Sequence, residues 1–306
     1  MMLLVWICIV VAVCMLVVKL VYRAQHGKCH SKRQLHGQLV IVTGASAGIG
    51  LETAKDLARR GARVIMACRD ISKAQKVADE IIRCTGNREV EVQHLDTSSL
   101  TSVRSFAKNI IASESKIDIL VNNAGMGALM QQKFSEDDLD LIMATNHYGP
   151  FLLTNMLGKL LKEGAPSRVV CLSSTLHHMV SKLDPDDLNF RRQSYKGMKA
   201  YNLSKLCNLL FAKELGSRLK GTGVTSYSVH PGIVNTAIFF KNQPLLGQFF
   251  GYLAGIMGKN AAAGAQTSIY CAVDEEAAKE TGLYYSDCKV TAPSKIGQHN
   301  GFAKKL

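Results

Sequence analysis

The 306-residue chain reads as an α/β protein: a doubly wound parallel sheet in a single domain, preceded by a membrane-anchor helix. Three observations predict this. From Gln38 onward, short apolar, β-branched runs alternate with segments of helical periodicity, the pattern of a parallel sheet covered on both faces. The first run ends in "TGASAGIG", residues 43–50, where three glycines fall as strand gives way to helix. The N-terminal stretch from Met1 to Val18 carries no charged side chain.

That stretch, as a helix, spans roughly 27 Å at about 1.5 Å per residue, close to the hydrocarbon thickness of a bilayer. Lys19 can snorkel and let Leu20 to Tyr22 extend the span, so the anchor is expected over residues 1–22. A cleaved signal peptide is the rival. It asks for a basic start and a shorter apolar stretch, and neither is present. A basic linker, residues 23–37, follows with Arg23, Lys28, Lys32 and Arg33, and no acid appears before Glu52. By the positive-inside rule this flank stays in the cytosol. Nine scattered cysteines, without C-x-x-C pairs, fit a reducing compartment. The expected location is the endoplasmic reticulum membrane with the folded domain in the cytosol, and a lipid droplet is the alternative.

The catalytic domain is expected over residues 38–306. "QLVIVTG" is the first strand. Residues 49–61 form a helix, with Leu51, Ala54, Leu57 and Ala58 on one face and Gly61 as its stop. "ARVIMAC" is a second strand and residues 71–84 a second helix. "EVEVQHL" is a third strand, followed by a helix over 97–113 with Val103, Phe106 and Ile110 or Ile111 inward. "IDILVNN" is a fourth strand. A long helical pattern, 137–161, contains Pro150. "SRVVCLSS" is a fifth strand, 199–219 a helix, "VTSYSVH" a sixth strand, 261–273 a helix, and "GLYYS" the last strand.

The formal net charge is +13. Its basic residues are dispersed and not interleaved with aromatics, which argues against nucleic acid and fits anionic coenzyme phosphates and a lipid surface. Zinc-ligand spacing is absent. His177 and His178 are neighbours, expected to point apart and without an acid cluster beside them, so they read as loop or pocket residues and no metal site is expected.

Sheets of this type bind ligands beyond the carboxyl ends of their strands, and the candidate residues follow strands. Gly44, Gly48 and Gly50 let a pyrophosphate approach the backbone where the first helix offers free N–H groups and the positive end of its dipole. Ser46 and Ile49 share that turn. At the end of the second strand an acid would bind the two ribose hydroxyls of NAD. "ACRD" instead offers Cys68 and then Arg69, which can pair with a 2′-phosphate. NADP(H) is therefore expected over NAD(H). The competing readings are a plain surface arginine at 69 and, for Asp70, a helix cap. Asp96, after the third strand, is placed to meet adenine. "NNAG", with Asn123, Ala124 and Gly125, is placed beside the ribose. Cap and turn chemistry is the alternative for both.

"YNLSK" puts Tyr201 and Lys205 on one helix face, one turn apart. A free phenol, with a pKa of about 10, is a poor base at neutral pH. A nearby ammonium is expected to lower it, so that Tyr201 can give or take a proton. Ser173 or Ser174, ending the fifth strand, reaches the same sheet edge and can hydrogen-bond a substrate oxygen. Asn146 lies mid-helix, and Pro150 removes the N–H that would bond its carbonyl. A kink there is expected to free that carbonyl for a water joined to Lys205.

TGxxxGIG, NNAG, an Asn-bearing helix, SS after the fifth strand, YxxxK and "HPGIVNT" occur in this order. As a set they resemble the short-chain dehydrogenase/reductase superfamily, with its Rossmann-type fold, over about residues 38–290. The resemblance implies that Asn146, Ser174, Tyr201 and Lys205 carry the chemistry. It prefers Ser174 to Ser173, has Ser174 and Tyr201 meet the substrate, and has Tyr201 and Lys205 also touch the coenzyme. Pro231, Gly232, Val234 and Thr236 would close on its carboxamide and phosphate side.

Ser174 and Tyr201 are 27 positions apart, about twice the interval in many members. That insertion, with "ACRD", "LLFAKELGSRLKGTGVTSYSVHPGIVNT" and "YYSDC", is similar to the microsomal retinol dehydrogenase group. The similarity implies an NADP(H)-dependent, membrane-anchored enzyme acting on retinal, retinol or other lipid aldehydes and alcohols. One departure is the short stretch after "SDCK", where the group usually carries a helix. Residues 237–257, "AIFFKNQPLLGQFFGYLAGIM", are expected to form an apolar lid admitting a lipophilic substrate, with a core-covering helix as the alternative. Competing functions are a steroid or polyprenol dehydrogenase and a membrane-tethered NADP-binding protein without turnover. A homodimer is left open.

Overall fold

The computed structural model describes residues 26–234 and 258–305, together with Trp6, Val10, Val13 and Val17. The rest of the expected anchor, residues 18–25, the 237–257 lid, Thr236 and Leu306 lie outside the described residues. The four N-terminal positions are helical and exposed. Among the described residues no helix is long and apolar enough to cross a membrane.

The strands are β1 (Leu39–Thr43), β2 (Arg63–Cys68), β3 (Val90–His94), β4 (Ile119–Asn122), β5 (Ser167–Leu172), β6 (Val224–His230), β7 (Leu283–Ser286) and β8 (Lys289–Val290). They form one sheet in the order β3-β2-β1-β4-β5-β6-β7-β8. All pairings are parallel except the last, where β8 runs antiparallel to β7. Strand order reverses between β1 and β4, so a crevice opens above their carboxyl ends.

The helices are α1 (Gly48–Arg59), α2 (Ile71–Thr85), α3 (Leu100–Ser113), α4 (Leu141–Met143), α5 (Gly149–Met156), α6 (Gly158–Glu163), α7 (Gly197–Arg218), α8 (Ala261–Val273), α9 (Lys295–Gln298) and α10 (Asn300–Lys305). Alternate strand residues feed opposite faces. Val40, Val42, Val64 and Met66 pack with Leu57 of α1, Ile81 of α2 and Ile269 of α8. Ile41, Ile65 and Leu120 pack on the other face with Phe106 of α3, Leu153 of α5 and Phe211 of α7. Each of these large side chains contributes about 1.5–3 kcal/mol by leaving water. A third cluster, including Tyr201, Leu206, Leu183 and Phe190, sits at the crevice end.

The helix expected over 137–161 is in fact broken. Residues 135–139 form a turn, with Asp138 at φ 56° and the Leu139 carbonyl accepting from the Ser135 N–H. Asp140 then caps α4, accepting from the N–H groups of Ile142 and Met143 at 3.1 Å. A π turn, Ala144–Tyr148, follows, in which the Gly149 N–H donates to the Ala144 carbonyl. Pro150 cannot serve the Asn146 carbonyl, so the ladder shifts by one residue at that point. The β8 strand and the two last helices carry no strong apolar period and were not expected. They are held by tertiary contacts, with Lys213 Nζ of α7 donating to the Gln298 carbonyl at 2.6 Å.

The turn between β7 and β8 holds Asp287 and Cys288 at positive φ. Asp287 Oδ1 accepts from the Gly27 N–H at 3.1 Å and pairs with Lys259 Nζ at 2.5 Å. The Lys259 N–H donates to the Ile233 carbonyl at 2.7 Å. One carboxylate thus ties the linker segment, the β7–β8 turn and the loop after β6. The Lys259 side chain is 1% exposed and that of Asp287 38%. Removing either partner is therefore unequal, since only the lysine has no recourse to water. Asp287→Asn is expected to cost about 3 kcal/mol in denaturant unfolding. Lys259→Met, which leaves a half-solvated carboxylate, is expected to cost less than half as much.

Candidate active site

The glycine turn is built on Thr43, the buried last residue of β1. Its Oγ1 accepts from the N–H groups of Asn123 (3.0 Å) and Ala124 (2.9 Å), joining the ends of β1 and β4. Asn123 Nδ2 donates to the Thr43 carbonyl at 2.8 Å and the Gly44 carbonyl at 3.3 Å. The Asn123 side chain therefore holds the turn. Gly44 and Gly48 have φ of 66° and 58°, where a side chain would be strained. A Cβ on Gly50 would lie 2.3 Å from Asn123 Nδ2 and 2.5 Å from the Gly44 carbonyl oxygen. Helix α1 has Ala47 at its N-cap, with no side-chain cap and no acid in its first turn. Its first N–H groups are left for an anion. Ile49 and Val234 meet across Gly264 of α8, whose absent Cβ would come within 2.6 Å of Val234 and 3.4 Å of Ile49.

At the end of β2, Cys68 is buried and hydrogen-bonded to Ser46 of the glycine turn; burial pushes its thiol pKa up against that bond. Arg69 is 76% exposed and 3.9 Å from Asp96 across the strand ends. Asp70 caps α2, accepting from the Lys73 N–H at 2.9 Å, so its carboxylate is engaged locally. Asp96 Oδ1 accepts from the Ser98 N–H (2.9 Å) and hydroxyl (2.7 Å), the turn chemistry that was its alternative reading.

Ser174, Tyr201 and Lys205 converge. Ser174 is 8% exposed, and Tyr201 and Lys205 are each 6%. The Tyr201 hydroxyl and Ser174 are hydrogen-bonded. The Ser174 oxygen also accepts from the Leu176 N–H at 3.2 Å. Ser173 points elsewhere, donating to the Lys205 carbonyl at 2.7 Å. Lys205 Nζ donates to the Leu172 carbonyl at 3.2 Å and lies 5.6 Å from the Tyr201 ring centroid. Gly125 borders this space, where a Cβ would stand 3.2 Å from Asn146 Oδ1 and 3.5 Å from Lys205 Nζ.

The electrostatics differ from the sequence expectation. Burial pushes the Tyr201 phenol above its ordinary value, with the Ser174 bond as the opposing influence. Burial lowers Lys205 to about 8 against the nearby Cys171. Desolvation outweighs attraction because the amine sits beside the ring and is directed at a backbone carbonyl.

Asn146 is fully buried in the π turn. Its Oδ1 accepts from the Met126 N–H at 2.7 Å, and its Nδ2 donates to the Met126 carbonyl and Ser204 Oγ, both at 3.0 Å. The expected distortion is present, and one of the two lone pairs of the Asn146 carbonyl is engaged by a side chain. The carbonyl accepts from Asn208 Nδ2 at 2.9 Å. Asn208 stands out as a polar residue in the apolar run "LCNLLFA", a signal that sequence reading passed over.

His177 and His178 do not point apart. Their ring centroids are 4.2 Å apart on a 3₁₀ turn, Thr175–Met179. His177 Nε2 accepts from the Ser294 N–H at 3.1 Å, so its Nδ1 carries the proton and donates to the Ser174 carbonyl. No group of three or more metal-ligating side chains occurs among the described residues. Pro231 and Gly232 follow β6, with Gly232 at φ 87° against the Lys259 side chain.

Comparison with known proteins gives the family. The family described as short chain dehydrogenase matches residues 38–185. Retinol dehydrogenase 11 of Mus musculus is 44% identical over 280 residues, 92% of this chain and 87% of the relative. Retinol dehydrogenase 13 of Homo sapiens is 42% identical over 285 residues, 92% of this chain and 85% of the relative. An uncharacterized Mycobacterium paratuberculosis protein of known structure is 32% identical with a TM-score of 0.72, covering 89% of this chain and 91% of that one. A short chain dehydrogenase from Burkholderia cenocepacia, solved in complex with NADP, is 25% identical with a TM-score of 0.65, covering 83% and 97%. The chain belongs to the short-chain dehydrogenase/reductase family of oxidoreductases and is similar within it to the retinol dehydrogenases.

Proposed function

We propose that the protein is an NADP(H)-dependent oxidoreductase that interconverts a lipophilic alcohol and its carbonyl compound, retinol and retinal in the first instance. The observation that carries the reading is the convergence of the Ser174 hydroxyl, the Tyr201 phenol and the Lys205 amine beside Gly125. The substrate class is supported by the retinol dehydrogenase relatives.

The residues present fit a phosphorylated dinucleotide. The uncapped α1 N-terminus, the left-handed glycines and the absence of an acid in the first turn suit a diphosphate. Arg69 is exposed beside the turn and suits a 2′-phosphate, while Cys68 removes the acid that would select NAD. Asp96 would meet adenine, Ala124 and Gly125 the ribose, and Pro231, Gly232, Val234 and Thr236 the nicotinamide side. When bound, the nicotinamide supplies or takes up the hydride.

The chain's own residues then manage the proton. In reduction the Tyr201 O–H donates to the carbonyl oxygen as it gains charge. Burial keeps the phenol protonated at neutral pH, as a donor requires. The Ser174 hydroxyl, which receives the Leu176 N–H, keeps its own proton to bond the same substrate oxygen. The Lys205 cation stabilises the phenolate left behind. In oxidation each proton runs the other way.

The apolar 1–22 segment is read as an anchor in the endoplasmic reticulum membrane, supported by the exposed helical positions Trp6, Val10, Val13 and Val17 and by the basic linker. The domain would then face the cytosol, and residues 237–257 would form the lid through which a bilayer-dissolved substrate enters.

Purified full-length protein in detergent is expected to reduce retinal with NADPH faster than steroid or polyprenol carbonyls. Tyr201→Phe should lower that rate about 100-fold or more while sparing NADPH binding; equal activity would overturn the assignment. Arg69→Ala should raise the KM for NADPH about tenfold and leave that for NADH unchanged. Because the cation is the working form of Lys205, kcat/KM for reduction should fall as pH rises through about 8. Lys205→Arg, which stays charged, should lack that limb.

A further inference from the structure

Two buried residues outside the proposed machinery organise the space around the Lys205 amine. Asn208, 5% exposed, lies three positions after Lys205 on α7. Its Nδ2 donates one hydrogen to the Asn146 carbonyl at 2.9 Å and the other to the Leu172 carbonyl at 3.0 Å. The Leu172 carbonyl is also the acceptor of Lys205 Nζ, at 3.2 Å. Asn208 Oδ1 faces His147 Nδ1 at 3.2 Å. The orientation of this amide is forced, since two carbonyl oxygens demand the NH₂ end and would repel the carbonyl end. His147, 3% exposed, must then present a protonated Nδ1. Burial lowers its pKa to about 4, so it is a neutral ring with a fixed tautomer near pH 7.

We infer that Asn208, oriented by His147, is a positioning residue for Lys205: its amide bridges the Asn146 and Leu172 carbonyls and shares the second with the ammonium, fixing where that acceptor stands. The inference rests on the reading that Lys205 serves Tyr201. The physical reason is competition. The Leu172 oxygen divides its two lone pairs between the Asn208 amide and the lysine. By also holding the Asn146 carbonyl, the amide ties the π turn to the end of β5 and so fixes the position of the Leu172 oxygen at which the ammonium is directed. The amide hydrogen converging on the same oxygen also disfavours the cation. The titratable groups beside the amine are Tyr201 on its own helix and Cys171 on β5; His147 is linked to it through Asn208.

Asn208→Leu in the full-length enzyme is expected to lower kcat at least tenfold and change the NADPH Kd, read by coenzyme fluorescence, less than threefold. It should also move the alkaline limb of kcat/KM up by half a pH unit or more, because the cation no longer competes for Leu172. His147→Leu should reproduce these changes, and His147→Asn, which keeps a donor at the Nδ1 position, should restore them. The double variant Asn208→Leu/His147→Leu should be no worse than Asn208→Leu alone. Wild-type kcat and pH profile in Asn208→Leu, with Tyr201→Phe inactive, would overturn this inference and leave the proposed function standing. Activity in Tyr201→Phe would overturn the proposed function instead. Should Asn208→Leu fail to fold, the His147→Leu and His147→Asn pair decides: equal pH profiles in both would contradict the positioning role.

Discussion

Lys205 brings its amine into a space where only 6% of the residue is exposed, with the Leu172 carbonyl at 3.2 Å as its protein acceptor. Burial of an ammonium is costly unless it is paired, and its lowering to about 8 expresses that cost. The surrounding architecture makes the placement tolerable. The π turn brings Asn146 against Met126 and Ser204, β5 ends with the Leu172 carbonyl, and Ser173 holds the Lys205 backbone. Tyr201 and Ser174 sit one turn and one strand end away, so the hydroxyl pair and the amine share a wall of the crevice.

The coenzyme side obeys a different constraint, close backbone approach. Thr43 and Asn123 fasten the ends of β1 and β4 together, and they do so at the reversal of strand order where the crevice opens. Gly50 has no room for a Cβ because Asn123 and the Gly44 carbonyl already occupy it. The glycine spacing thus reflects two needs at once. Gly44 and Gly48 supply left-handed backbone, and Gly50 lets α1 approach the clamp from β4.

Most of the framework was legible because parallel strands buried on both faces leave uninterrupted apolar runs, such as "VIMAC" and "LVIVT". The candidate catalytic residues were legible through ordered motifs, and Pro150 pointed to the distortion at Asn146. The breaks in the 137–161 helix were hidden because its apolar period runs on through them; the Ser135–Leu139 turn and the π turn are set by local hydrogen bonds. The clamp made by the Asn123 amide was not legible, since a motif gives position but not side-chain direction. The upward shift of the Tyr201 phenol was not legible, since helical spacing shows proximity to Lys205 and not burial. Asn208 and His147 were missed because a single polar residue in an apolar helix does not disturb periodicity.

The account stands on two hydroxyls and one amine closing around a single oxygen of the substrate. A crystal structure of the full-length protein with NADP⁺ and an unreactive lipophilic carbonyl compound tests it most directly. The account predicts Tyr201 Oη and Ser174 Oγ each within about 2.6–3.2 Å of the carbonyl oxygen, with Lys205 Nζ on the ribose. A carbonyl oxygen bonded to neither hydroxyl, with the diphosphate away from the α1 N-terminus, would contradict it.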